Sequence, residues 1–180
     1  MSVLTVPYLA GALLLLAAGL SKLVSPDSTV DAARSAGLPV GRWSVQLLAA
    51  VEMVAGVAAL LVNSWIAGVA VGLSYVGFAG FLAHGLWRGG LDSCGCFAGD
   101  HAQPSWLHVA VDLAFAGAAF AVAADAGVGS MRAAFDSGHG LTTAVLVVVA
   151  SALAYVVLSR LPDAGSVPAR LLLESPAGAR

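Results

Sequence analysis

Two cysteines separated by a single glycine carry the most reactive chemistry in this sequence. Cys94 and Cys96 are the only cysteines of the 180-residue chain, and they lie in the polar stretch from Asp92 to Gly99, between two long apolar segments. A disulfide between residues i and i+2 needs an unusual backbone, which Gly95 permits, and we expect such a bond to be strained. Strained, exposed disulfides are labile and catalytic rather than structural. The pair therefore predicts thiol–disulfide exchange.

Two other interpretations of the cysteine pair stay open at this point. The thiols could be unreacted, as buried cysteines often are, although a polar loop is not the usual place for them. Alternatively, two thiolates together with His84, His101 or His108 could bind Cu(I) or Zn(II). The histidines show no ligand spacing relative to the cysteines, so the sequence assigns no residue as a metal ligand.

The segments around the cysteine pair are predicted to cross a membrane. Of the residues, 59% are hydrophobic and 10% are charged, which is too apolar for an average soluble domain. A net charge of −2 gives no electrostatic basis for binding nucleic acid. A helix of about 20 apolar residues crosses a hydrocarbon core, and five stretches reach that length: Val3 to Val24, Trp43 to Val62, Trp65 to Trp87, Trp106 to Ala126 and Leu141 to Ser159. The predicted fold is an all-α, multi-pass helix bundle in the cell membrane, with the lipid bilayer as its surroundings.

The connections between the spans divide the chain into a core and an extension. Residues 1–126 form a predicted four-helix membrane core, residues 127–160 a loop and a fifth membrane helix, and residues 161–180 a mobile tail. The first span is predicted to be retained, because no basic residue precedes it and no clear cleavage site follows it. Residues 29–38 are predicted to form a short interfacial helix, and Asn63-Ser64 to join spans two and three as a tight hairpin.

The distribution of basic residues gives conflicting evidence on orientation. Five spans place the loops after spans one and three, and the tail, on one side of the membrane, here called face B; the opposite side is face A. Face A carries only Arg132, whereas face B carries Lys22, Arg34, Arg42, Arg88, Arg160, Arg170 and Arg180. The positive-inside rule makes face B cytoplasmic. A persistent disulfide in the Cys94–Cys96 loop would instead favour an extracytoplasmic face B, so the orientation stays open.

A lysine and a glutamate within the spans are predicted to form an ion pair. Lys22 lies near the end of span one and Glu52 near the middle of span two; His84, His108 and Asp112 lie in the same half of the bundle, toward face B. A charge at a helix centre costs roughly 2.5–3.5 kcal/mol, and the Cα–Cβ bonds of Lys22 and Glu52 lean toward each other. Lys22 is expected to stabilise a thiolate, and Glu52 to hold Lys22 or move protons. The alternative is that Lys22 extends to the interface and Glu52 stays protonated.

These residues together resemble a known family. Gly19-Leu20-Ser21-Lys22-Leu23 closes span one, Glu52 lies within span two, and Cys94-Gly95-Cys96-Phe97 is followed by Gly99. The combination is similar to the MauE methylamine-utilisation proteins, which belong with the DoxX-like four-helix membrane proteins. The resemblance covers roughly residues 1–126. Ala98 departs from the family pattern, which would place a glycine directly after Phe97, and the fifth span is additional to the four-helix core.

The resemblance implies a redox role, with named partners. Cys94, Cys96, Lys22 and Glu52 would carry out thiol–disulfide exchange that matures a secreted disulfide-containing client, with a thioredoxin-like protein as redox partner. In that family the client is the small subunit of methylamine dehydrogenase. Fold analogy with the vitamin K epoxide reductases makes a quinone the candidate electron acceptor, although no quinone-binding motif is readable here. The remaining alternative is a non-catalytic assembly subunit of a membrane complex.

Overall fold

The computed structural model describes residues 3–89, 104–125 and 129–164, with side chains to residue 158, and every regular element in these ranges is an α-helix. In chain order the helices are α1 (Thr5–Val24), α2 (Pro26–Ser35), α3 (Arg42–Leu61), α4 (Trp65–Arg88), α5 (Trp106–Ala124), α6 (Met131–Asp136) and α7 (Gly140–Ala164). Five of them, α1, α3, α4, α5 and α7, are long and apolar enough to cross a membrane. The predicted all-α, multi-pass bundle is confirmed.

The four helices of the core begin and end within two residues of the predicted spans. The shorter elements differ more. Helix α2 starts at Pro26, three residues before the predicted interfacial helix, because proline is preorganised for the first position of a helix. Helix α6 occupies what was predicted to be a loop around Arg132, and the Ser130 hydroxyl caps it by accepting from the Ala133 N–H at 3.2 Å. Helix α7 continues to Ala164, and the rest of the predicted tail lies outside the described residues.

The core consists of two closely packed helix pairs, α1 with α3 and α4 with α5. Glycines permit the close approach within each pair. A Cβ atom added to Gly56 of α3 would lie 2.9 Å from the carbonyl oxygen of Ala12 on α1. A Cβ atom added to Gly68 of α4 would lie 3.1 Å from the carbonyl oxygen of Ala119 on α5. Small residues at such contacts let helix backbones approach in lipid, where van der Waals packing drives association.

Polar and aromatic side chains join the two pairs through α1. The Tyr75 hydroxyl on α4 donates to the carbonyl oxygen of Gly11 at 2.8 Å, and the Tyr75 ring lies 5.2 Å from that of Phe115 on α5. On another side of α1, the Ser151 hydroxyl of α7 lies 3.3 Å from the carbonyl oxygen of Ala10. Helix α1 is therefore the element that the other membrane helices share.

The outer surface of the bundle is suited to lipid. Large apolar side chains are exposed along the outward faces of the long helices, for example Val54 on α3 and Leu73 on α4. Tryptophans lie exposed at the helix ends, with Trp43 at the start of α3 and Trp87 at the end of α4. Amphipathic indole rings prefer the headgroup level of a bilayer. These features are those of a multi-pass membrane protein.

The glycine contact between α1 and α3 gives a direct test of this packing. Gly56→Ala should lower the free energy of unfolding by about 2 kcal/mol, because its Cβ would press on the backbone of α1. The matched control is Gly117→Ala on α5, where an added Cβ meets no atom within 4 Å. The control should be neutral or slightly stabilising, since alanine is the better helix former. Unfolding in mixed micelles, followed by circular dichroism, measures both; equal effects would contradict the packing.

Candidate functional site

The predicted ion pair between Lys22 and Glu52 is confirmed. The Nζ atom of Lys22 lies 2.7 Å from each of the two carboxylate oxygens of Glu52. Lys22 is 4% exposed and Glu52 is fully buried. Charge-assisted hydrogen bonds of this length are the strong ones. Lys22 therefore does not extend to the interface in this structure.

The local sequence brings the two charged side chains together. Gly19 lies one helical turn before Lys22, and a Cβ atom added there would lie 2.9 Å from the Ala49 carbonyl oxygen and 3.3 Å from the Glu52 Cβ. The glycine therefore lets α1 approach α3 at the depth of Glu52. From there the lysine side chain, on the next turn of the same face, reaches back along α1 to the carboxylate. The Gly-Leu-Ser-Lys element thus brings α1 close to α3 and places the lysine within reach of Glu52.

A third helix completes the surroundings of the Lys22 ammonium. Its Nζ atom lies 4.4 Å from the centroid of the Phe78 ring on α4. A cation over an aromatic face gains about 0.5–2 kcal/mol, more when water is excluded. Phe78 in turn packs edge-on against Tyr75, with ring centroids 5.8 Å apart. Sequence reasoning did not find Phe78, because one aromatic residue in an apolar span gives no signal.

A second carboxylate is buried near the start of α5. Asp112 on α5 is 8% exposed, and Lys22 acts on it through a Coulombic interaction. The single lysine of the chain therefore interacts with two acidic side chains. It contacts Glu52 directly and acts on Asp112 only through a longer-range electrostatic interaction. The sequence placed Asp112 in the correct half of the bundle but did not connect it with Lys22. The available signal was that two intramembrane carboxylates share one possible lysine.

His108 has a structural arrangement at the start of α5. Its Nδ1 atom accepts from the Ser105 N–H at 3.3 Å and lies 2.9 Å from the Ser105 hydroxyl. Its Nε2 atom lies 3.1 Å from the Leu158 carbonyl oxygen on α7, which can only accept. The ring is thus a neutral tautomer that carries its proton on Nε2. In this arrangement His108 caps α5 and joins it to the fifth membrane helix.

The remaining predicted site residues are only partly placed. Cys94, Cys96 and His101 lie outside the described residues, while His84 is half-buried on α4. Within the described ranges, no group of three His, Cys, Asp or Glu side chains could hold a metal ion. On either side of the cysteine-containing segment, the described residues end at Gly89, after α4, and resume at Pro104, before α5. Gly89 and Pro104 both lie at the end of the bundle that is nearer to Lys22.

Five membrane-crossing helices around a buried lysine–carboxylate pair define a class: a polytopic α-helical membrane protein with a charged site in its core. Comparison with known protein families identifies the family within this class. The family described as methylamine utilisation protein MauE matches residues 1–125, so the chain belongs to the MauE family. The match covers α1 to α5 and leaves α6 and α7 outside it. No curated protein and no solved structure matched the chain in the corresponding comparisons.

The ion pair can be tested by a double-mutant cycle. Lys22→Met or Glu52→Leu alone should each lower the free energy of unfolding by about 3 kcal/mol, because each leaves one buried charge without its partner. The double variant should lose about 2 kcal/mol, well below the sum of the two single losses, because it leaves neither charge without its partner. Unfolding in mixed micelles measures all three.

The matched control for this cycle is the exposed ion pair between Arg42 and Asp27. Its nitrogen and oxygen atoms are 3.3 Å apart, and its side chains are 61% and 70% exposed. Arg42→Gln and Asp27→Asn should each cost no more than about 1 kcal/mol. A Lys22–Glu52 coupling as small as that of the exposed pair would contradict the buried interaction.

Proposed function

We infer that this MauE-family protein is a membrane-embedded component of thiol–disulfide exchange, with Cys94 and Cys96 as its redox pair. The observation that carries the proposal is the buried Lys22–Glu52 pair. It lies toward the end of the bundle from which the chain leaves α4 at Gly89 and returns to α5 at Pro104. Ionisable groups inside a membrane are costly and are usually functional. A fixed cation toward the end of the bundle where the chain enters the segment with its only two cysteines favours thiolate chemistry.

The proposed reaction transfers a disulfide to a partner protein. A partner thiolate attacks one sulfur of the Cys94–Cys96 disulfide, which forms a mixed disulfide and releases the other cysteine as a thiolate. A second partner thiolate then attacks the mixed disulfide, so that the partner gains a disulfide and both cysteines of this chain are reduced. Two electrons pass from the partner to the pair, and the two released thiolates take up protons. The opposite sequence of steps reduces a partner disulfide.

Lys22, Glu52 and Asp112 have distinct proposed roles in this exchange. Lys22 supplies positive charge that stabilises the released thiolate, since a nearby cation increases thiolate character. Glu52 positions Lys22 by accepting at both carboxylate oxygens. Asp112, which shares the field of the same cation, is suited to receiving or supplying the proton. Lys22 and Glu52 would thus support the cysteines rather than exchange electrons themselves.

The proposed partners follow from the chemistry and the family. A thioredoxin-like protein would exchange disulfides with the Cys94–Cys96 pair, and a secreted disulfide-containing protein would be the final client. Methylamine utilisation is the process that the family description names, so a protein of that process is the first client to test. The proposed location is the cell membrane, where a multi-pass protein can meet both.

Trapping of a mixed disulfide tests the exchange directly. Cys94→Ser or Cys96→Ser should accumulate an adduct with an oxidised thioredoxin-like protein, because the remaining cysteine attacks the partner disulfide and the second cysteine, which would resolve the adduct, is missing. The measurement is a non-reducing gel of acid-quenched membranes, with the adduct abolished by reductant. The matched control is the double variant Cys94→Ser/Cys96→Ser, which should give no adduct.

Three outcomes would count against the proposed exchange. No adduct from either single variant at normal expression would remove its support. One tightly held Cu or Zn ion per chain, lost on replacing either cysteine, would favour metal binding instead. A double cysteine variant that still supports maturation of the client would favour an assembly subunit.

The role of Lys22 is separable from its effect on stability. The Lys22→Met/Glu52→Leu double variant leaves no unpaired partner of the ion pair, so it should fold while lacking the cation. Alkylation of the reduced cysteines at pH 7 should then slow about tenfold, because less thiolate is present. The control is Asp27→Asn/Arg42→Gln, which removes the exposed ion pair and should leave the rate within twofold. Equal rates in the two double variants would exclude Lys22 from the chemistry.

A further inference from the structure

An apolar cleft runs between α3 and α4, outside the two closely packed helix pairs. Its chamber toward face B has a volume of about 580 Å³, and its chamber toward the hairpin between α3 and α4 has a volume of about 500 Å³. Val51 and Ala70 line both chambers, so the two are adjacent. Lining residues such as Leu48 and Leu73 are also exposed on the outer surface. The cleft is therefore open to the surrounding lipid along its side.

The two ends of the cleft differ in polarity. Lys22, Thr29, Ser44 and Ser74 line the chamber toward face B, and the segment from α2 to the start of α3 closes it from above. The lower chamber is lined by alanine, valine and isoleucine, with Ser64 at the hairpin as its one polar residue. This gradient fits an amphiphile with a compact polar head and a single apolar chain. Its head would lie toward face B, and its chain would follow the gap between α3 and α4.

The chemistry of the upper chamber favours an uncharged, flat head. Lys22 is the only charged residue that lines it, and a carboxylate oxygen of Glu52 lies 2.7 Å from its ammonium, so an anionic head would meet a carboxylate beside the cation. The lining contains no arginine, whereas phosphate headgroups are usually bound by arginine clusters. The Ser44 hydroxyl suits a head with neutral oxygens, while the Ser74 hydroxyl donates to the Ala70 carbonyl oxygen at 2.9 Å and adds polar surface to the lining. Phe78 and Phe81 offer aromatic rings against which a planar head can pack.

We propose that this cleft binds an isoprenoid quinone, with the ring in the chamber beside Lys22 and the tail between α3 and α4. A quinone has the flat neutral ring, the two carbonyl oxygens and the single apolar chain that the lining requires. The role of the quinone as the oxidant of the cysteine pair rests on the proposed thiol–disulfide function. The reduced cysteines lose two electrons and two protons as their S–S bond forms, and the quinone takes up both to become the quinol. The pair is thereby returned to its oxidised state.

A matched pair of glycines on α4 allows the site to be blocked selectively. An added Cβ meets no atom within 4 Å at either Gly77 or Gly80, and both positions are exposed. Gly77 lines the upper chamber, whereas Gly80 does not line either chamber. Gly77→Leu should therefore fill the cleft, and Gly80→Leu makes the same chemical change on the same helix outside it. Thermal unfolding of both variants confirms that each is folded.

Photoaffinity labelling measures occupancy of the cleft. The full chain in phosphatidylcholine nanodiscs is labelled with an azido-benzoquinone that carries a ten-carbon tail, and the labelled peptides are identified by mass spectrometry. The expected result is labelling within residues 44–82 that decyl-benzoquinone displaces and palmitate at the same concentration does not. Gly77→Leu should reduce the yield at least tenfold, and Gly80→Leu should leave it within twofold of the unmodified chain.

Other results would overturn the assignment. Equal labelling of the Gly77→Leu and Gly80→Leu variants would show that the probe does not enter the cleft. Displacement by palmitate as readily as by decyl-benzoquinone would make the cleft a site for acyl chains.

The Cys94→Ser/Cys96→Ser variant should still be labelled, because binding of the quinone does not require the cysteines. Failure of mixed-disulfide trapping with retained labelling would therefore remove the exchange function and leave the quinone site, and the reverse result would remove the site alone.

Discussion

The Lys22 ammonium, buried among helices, constrains the arrangement of the whole core. An unpaired charge at a helix centre costs roughly 2.5–3.5 kcal/mol, and here Glu52 meets it at 2.7 Å with both carboxylate oxygens. Helix α1 or α3 cannot slide by even one residue, about 1.5 Å, without lengthening those contacts. The Phe78 ring, 4.4 Å from the ammonium, extends the constraint to α4. One cation thus sets the relative depth of three helices.

Small residues make this electrostatic constraint possible. Lipid tails are as apolar as leucine, so helices in a membrane associate through close packing and polar contacts rather than through the hydrophobic effect. Gly19 supplies the close packing one turn away from Lys22, because its missing side chain leaves space for the α3 backbone. Gly56 repeats the arrangement farther along the same pair of helices. Between the pairs, where packing is less extensive, the Tyr75 hydroxyl and the Lys22–Phe78 contact provide the connection.

The sequence was most informative where its signals are long or costly. About twenty consecutive apolar residues allow few structures other than a membrane helix, so the four core spans were predicted to within two residues, whereas α7 continues beyond its predicted end. Lys22 and Glu52 were predictable as partners because each is an expensive charge in its own span. Phe78 and the His108–Leu158 contact were not, since they depend on how helices distant in sequence pack side by side. Helix α6 was missed because six residues carry too little periodicity to distinguish a helix from a turn. The thiol chemistry of Cys94 and Cys96 stays a prediction, because both lie outside the described residues.

The position of Phe78 relates the charged site to the lipid. Its ring contacts the Lys22 ammonium, and the same residue lines the cleft between α3 and α4. Lys22 stays 4% exposed although it borders a cavity of about 580 Å³, so the charge is shielded while its apolar surroundings are open. The cleft lies between the two helix pairs, and bulky residues such as Leu48 and Leu73 line it. Within each pair, in contrast, glycines permit the close approach of α1 to α3 and of α4 to α5. Side-chain size along the helices therefore determines both where the bundle closes around a charge and where an apolar molecule can approach it.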